Sequence, residues 1–242
     1  MTSLIANPGR RAGLLYLFIV LTAPVHLLYI PGRLFVRGDA AATMANVLAN
    51  ETLFRGGIAL ELVGAAVWAG LLLALYWLFR GVDKRLSVLM VMLGAIPMLA
   101  ASVLSASVES TALMVARGAD FLGVFDIAER GALFMLLMRV GGYATSSVEL
   151  FWGLWLLPLG MLVLRSRQIP RLLGFWLLLN GLAYALDSLL SVLVAGPLPA
   201  LDMILPVLQF GEVAFMLWLL AKGMQPALAS TPATAGAAVA IP

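Results

Sequence analysis

An all-α integral membrane bundle is the fold class this sequence predicts, and three observations carry it. The chain of 242 residues is 63% hydrophobic and only 11% charged, far from the roughly 45 to 50% apolar and 25% charged content of a soluble domain. Its apolar residues gather in six runs of about 20, each long enough as a helix to cross a hydrocarbon core about 30 Å thick. The connections between the runs are too short to hold a separate soluble domain.

The runs place transmembrane helices at about 12–30, 56–79, 86–114, 141–164, 172–194 and 203–222. Arg10 and Arg11 precede the first run as they would in a signal peptide. That run continues to Ile30 with no small-x-small cleavage site to close it, so it is read as an uncleaved span, with cleavage near Ala23 as the competing reading. Arg80, Lys84, Arg85, Arg165, Arg167, Arg171 and Lys222 join the two N-terminal arginines at one set of helix ends, with Asp83 the one acid among them. The other ends carry Arg33, Arg37, Arg55, Arg117, Arg130 and Arg139, mixed with acids. The positive-inside rule then puts both termini in the cytoplasm.

Each long outer connection holds a short amphipathic stretch. In the first, Asp39 is placed to cap a helix whose Met44, Val47, Leu48, Leu53 and Phe54 share a face. In the second, Asp126 caps a helix from Ile127 to Met138. Both are expected to lie flat on the outer surface. Residues 1–223 thus form one six-helix transmembrane domain, and the uncharged Ala, Pro, Thr, Ser and Gly of 224–242 a disordered cytoplasmic tail.

Several function classes drop out. With no cysteine there is no disulfide, thiolate nucleophile or cysteine metal site. The arginines sit at helix ends rather than in a cluster with aromatics, so the net charge of +3 reflects topology and no nucleic acid is bound. There is no HExxH, GxSxG, P-loop or dinucleotide fingerprint, and one histidine cannot build a multi-histidine zinc site. No metal set is read; oxygen ligands would favour Mg, Ca or Mn over zinc.

What remains is polar chemistry inside the helices. Asn180, Tyr184, Asp187 and Ser191 share one face of the fifth span, where a carboxylate near the bilayer centre costs roughly 2.5 to 3.5 kcal/mol. His26 with Thr22 and Tyr29, Glu61, the face of Ser102, Ser105 and Glu109, Glu149 with Thr145 or Ser146, and Glu212 with Gln209 put polar groups on the other five. Counted at 1.5 Å per residue from the basic anchors, His26, Glu149 and Asp187 lie about 22 to 24 Å up, Glu61 about 28 Å, Glu212 about 15 Å and Glu109 about 36 Å. Five or six bare carboxylates against one histidine would cost as much as a whole domain's stability, so protons, a cation or a watery cavity must compensate them. The competing account makes the polar groups interhelical glue, worth about 0.6 kcal/mol a pair, with Gly57, Gly64, Gly94, Gly153, Gly160, Gly174 and Gly181 allowing close packing. The tryptophans are read as packing residues or interfacial anchors rather than a cofactor box.

Particular strings also resemble a family. Gly38 to Thr43 with Asn46, Leu48, Asn50-Glu51 and Leu53-Phe54-Arg55, then Arg165-Ser166 with Ile169 to Gly174, Gly181, Tyr184 and Asp187-Ser188, resemble bacterial membrane proteins grouped by a domain of unknown function 4386. Gly142-Tyr143 and Phe151-Trp152-Gly153 resemble the fourth span of the same family, over roughly residues 10 to 222 in all. The resemblance implies a bacterial multi-pass protein with no assigned chemistry. The family pattern has a histidine before the Gly-Tyr pair; Gly141 stands there in this chain, so no role resting on that histidine transfers.

Two functional expectations follow. The first is a cavity in the outer half of the bundle, formed by His26, Glu61, Glu149, Asn180, Tyr184, Asp187 and Glu212, that binds a proton, a cation or a small polar ligand as a carrier or sensor. The second is an intramembrane enzyme acting on a lipid or isoprenoid headgroup, with a carboxylate pair as acid and base. A structural partner without a ligand is the third and plainest possibility.

Overall fold

The computed structural model describes residues 7–194, 207–208 and 210–226. Among these the chain is helical, with no strand: α1 (Pro8–Pro24), a π turn (Val25–Tyr29), α2 (Ile30–Leu34), α3 (Ala40–Ala49), α4 (Glu51–Phe79), α5 (Lys84–Arg117), a 3-10 turn (Asp120–Leu122), α6 (Ile127–Leu154), α7 (Leu156–Ser166), α8 (Arg171–Leu193) and α9 (Gly211–Lys222). Five continuous helical stretches are long and apolar enough to cross a membrane: Pro8–Leu34, Glu51–Phe79, Lys84–Arg117, Ile127–Ser166 and Arg171–Leu193. Residues 203–206 of the expected sixth span and 227–242 of the expected tail lie outside the described residues.

Prolines interrupt two of the membrane helices. Pro24 lacks the N–H that would reach the Val20 carbonyl, and Pro31 the one for Leu27. Between them the helix widens into the π turn, where the Ile30 N–H reaches back to the Val25 carbonyl. Pro158 removes the partner of the Leu154 carbonyl, and there α6 gives way to α7 at Trp155.

The outer connections depart from the expected flat helices. The first divides at Asn50: α3 begins at the Asp39 cap, whose side chain accepts the Ala42 N–H at 2.8 Å, and Glu51 already belongs to the second membrane helix. The second is no separate helix. Asp126 and Glu129 form a capping box, and the helix then runs unbroken through Gly141 and Gly142, because two helical glycines cost only about 1 kcal/mol each and Phe134 is fully buried against the bundle.

The core has two layers. Towards the termini, Tyr16, Trp68, Leu71, Leu75, Met90, Trp155, Leu159 and Phe215 pack together. Towards the outer connections, Ile30, Leu34, Met44, Val47, Phe54, Leu113 and Phe134 form a second cluster. Along α1 to α2, α4 and α5 the residues between these layers are the polar ones, His26, Glu61, Ser102 and Ser105, so a polar band lies between two apolar plugs.

Two features hold the helices in place. Gly153 and Gly160 on α6 and α7 cross Gly181 and Gly174 on α8, so closely that a Cβ on Gly174 would lie 3.1 Å from the Gly160 carbonyl oxygen. At the other side, Asn7 Oδ1 accepts the N–H groups of Arg10 at 3.1 Å and Met224 at 3.0 Å, and the Gly9 N–H bonds the Met224 carbonyl at 3.0 Å. The start of α1 and the end of α9 therefore sit at the same end of the bundle. Met224 is itself buried, one residue beyond the expected domain boundary. At that end Arg165 bonds Asp83 at 2.5 Å, joining the two short basic loops.

Candidate functional site

A cavity of about 310 Å³ occupies the band between the two cores. All the membrane helices contribute to its wall: Tyr16, Thr22 and His26; Glu61, Gly64 and Trp68; Met98, Ser102 and Ser105; Thr145, Trp152 and Trp155; Tyr184; and Glu212. Aromatic rings make its floor. Trp68 and Trp155 meet edge to face at 4.9 Å between centroids, and Tyr16 lies 6.4 to 6.5 Å from Trp68, Trp155 and Phe215. Each buried indole N–H needs an acceptor. Trp68 Nε1 donates to the Gly94 carbonyl at 2.9 Å, and Trp152 Nε1 to Met98 Sδ.

Glu212 marks one end of the cavity. The Tyr16 hydroxyl donates to its Oε2, and the fully buried Asn180 amide bonds the same carboxyl from α8. At the other end His26 Nε2 lies 3.6 Å from Glu61 Oε2, with the side chains only 18% and 13% exposed. Ser105 bonds the Glu61 carboxyl. One turn beyond Ser105, Glu109 comes so close that donor atoms of His26, Glu61 and Glu109 all lie within 4.8 Å of one another. Among the described residues no lysine or arginine lines the cavity, and His26 is the one basic side chain in its wall.

Of the seven expected residues, His26, Glu61, Tyr184 and Glu212 line this cavity, and Asn180 stands directly behind Glu212. Glu149 and Asp187 do not line it. They lie half-buried beside each other between α6 and α8, next to the Ser188 hydroxyl that donates to the Ser146 carbonyl at 2.9 Å. Ser191 turns back on its own helix, bonding the Ser188 carbonyl at 2.8 Å. Tyr29, expected beside His26, points outward with 52% exposure, because a π turn carries more residues per turn than an α-helix and shifts the face. Gln209 lies outside the described residues.

The structure adds Tyr16, Trp68 and Glu109. Glu109 was on the right helical face but counted too high: α5 has 34 residues, about 51 Å of helix, too long to stand upright in a core about 30 Å thick. Counting along it overstates height. Tyr16 and Glu212 differ by about 7 Å in the same count, a gap closed by the reach of two long side chains. Gly64 also departs from expectation: a Cβ there would meet nothing within 4 Å, so this glycine opens the cavity rather than drawing helices together.

The sequence pattern described as "Domain of unknown function (DUF4386)" matches residues 11–223. No curated protein and no solved structure matches the chain.

Proposed function

The chain belongs to the domain of unknown function 4386 family, and from that premise we propose a six-span protein of a bacterial inner membrane whose internal cavity binds a cation or small polar ligand, as a carrier or sensor. The sixth span is the one to which α9 belongs. Support for an even number of crossings comes from the bonds of Asn7 and Gly9 to Met224, which hold both ends of the bundle's chain together. The basic short loops at that same end favour a cytoplasmic location. On this reading the uncharged segment after Met224 belongs to the cytoplasmic side.

One observation carries the ligand reading: a cavity of about 310 Å³ with a carboxyl group at each end, aromatic walls and, among the described residues, no lysine or arginine in its lining. Acidic groups draw a cation, and ring faces favour it further. His26, Glu61, Tyr184 and Glu212 are the residues in contact with the ligand, Asn180 orients Glu212, and Glu149 with Asp187 forms a neighbouring acidic pair.

Titrating the purified protein in nanodiscs with tetraethylammonium tests this by calorimetry. Saturable binding that disappears in Gly64→Leu, where the new side chain fills the cavity, is the expected result. Binding that is absent in the wild type, or that survives the filled cavity, overturns it.

A further inference from the structure

We infer that His26, Glu61 and Glu109 form a binding site for one divalent transition-metal ion at the outer end of the cavity. The inference deepens the cation reading of this cavity and rests on it. Three independent observations converge. The first is the donor set: one imidazole and two carboxylates from three different helical elements, their ligand atoms within 4.8 Å of one another. Donors at about 2.0 to 2.2 Å from a common ion in a tetrahedral site lie about 3.3 to 3.6 Å apart; the His26–Glu61 pair at 3.6 Å already has that spacing, and a movement of about 1 Å by the Glu109 side chain completes the set.

The second is Glu61 Oε2, which is shielded from solvent and has no hydrogen-bond partner. The other demand on this carboxyl is met by Ser105. A buried carboxylate oxygen needs a partner, and the group facing it is His26 Nε2 at 3.6 Å, longer than a hydrogen bond but suited to two ligands of one ion. The third is the orientation of the imidazole. The Gly57 backbone lies in bonding reach of His26 on its Nδ1 side, one turn of α4 from Glu61. Metal-ligating histidines hold their second nitrogen on a backbone carbonyl or carboxylate in just this way, leaving the first free to ligate.

Charge and ligand type narrow the ion. Two carboxylates and a dication sum to zero, the balance a site between two apolar layers requires. A monovalent ion would leave a net negative charge. An imidazole among carboxylates favours Mn2+, Fe2+ or Zn2+ over Mg2+ or Ca2+. His26 stands at the start of the π turn and keeps the face of Tyr16, Ile19 and Ala23, which lines the cavity.

The test uses full-length protein, freed of any affinity tag, in nanodiscs and titrated with Mn2+. The chain has one histidine, so imidazole nitrogen coupling in the pulsed paramagnetic resonance of bound Mn2+ identifies His26 in the wild type, with no variant needed. One tightly bound ion with that coupling is expected, weakened at least 10-fold by Glu61→Gln and by Glu109→Gln, and unchanged by Asp120→Asn on the exposed outer surface. Bound Mn2+ without nitrogen coupling, affinity unmoved by Glu109→Gln in a variant that keeps its thermal midpoint, or no bound Mn2+ at all overturns the inference. If tetraethylammonium still binds when Mn2+ does not, the metal site fails and the cavity reading stands; if neither binds, both fail.

Discussion

The Tyr16 hydroxyl donates to Glu212 Oε2 across 196 positions of sequence, tying α1 to α9 at the floor of the cavity. Tyr16 is 2% exposed, so its hydroxyl has little access to water as an alternative partner. The pair anchors the carboxyl that closes one end of the site.

Removing the donor should therefore cost more than replacing the acceptor. Tyr16→Phe leaves a buried carboxyl short of a partner, a loss of about 1 to 3 kcal/mol. Glu212→Gln keeps an acceptor oxygen and should cost less. The double variant should be less destabilised than the sum of the two, measured by unfolding in bicelles. Additive losses would show that the two side chains do not depend on each other.

The glycines should divide by position. Gly174→Leu forces a side chain against the Gly160 carbonyl and Leu164, and overpacking of this kind costs about 1 to 3 kcal/mol or more. Gly64→Ala has open space before it and gains helix propensity of up to about 1 kcal/mol. Thermal midpoints in detergent should move down for the first and stay or rise for the second; a fall for Gly64→Ala would mean the cavity closes on itself.

Asn7→Ala should loosen both ends of the bundle at once. The side chain caps α1 and also holds the Met224 N–H. Loss of such a cap costs about 1 kcal/mol, and hydrogen exchange at the Met224 amide should quicken. Unchanged exchange there would place the attachment of α9 in the apolar contacts of Met224 alone.

Much of the fold was legible because membrane insertion is a sum over local composition. The five long spans lie where the apolar runs lie, and Asp39, Asp83 and Asp126 cap helices as short acidic residues before apolar periods should. The outer connections were legible in part: α3 begins at Asp39 as its cap predicts, whereas the helix from Ile127 runs on into the membrane helix, because amphipathic spacing marks an apolar face without saying where the helix stops.

The site was half legible. Faces follow from helical periodicity, so the sequence already put His26, Glu61, Tyr184 and Glu212 on the faces that line the cavity. Partners require the rotation, tilt and crossing of six helices, and no residue count contains these.

By itself, then, the sequence determined a membrane-embedded helical chain with basic ends and too many carboxylates to leave bare, since transfer free energies and charges add along a chain. Tertiary structure decided which polar groups meet. His26 on the π turn meets Glu61 on α4 and Glu109 on α5, while Glu149 and Asp187 lie beside each other outside the cavity lining. Those meetings depend on packing between distant segments, where a shift of one residue in helical phase moves a side chain by about 100°.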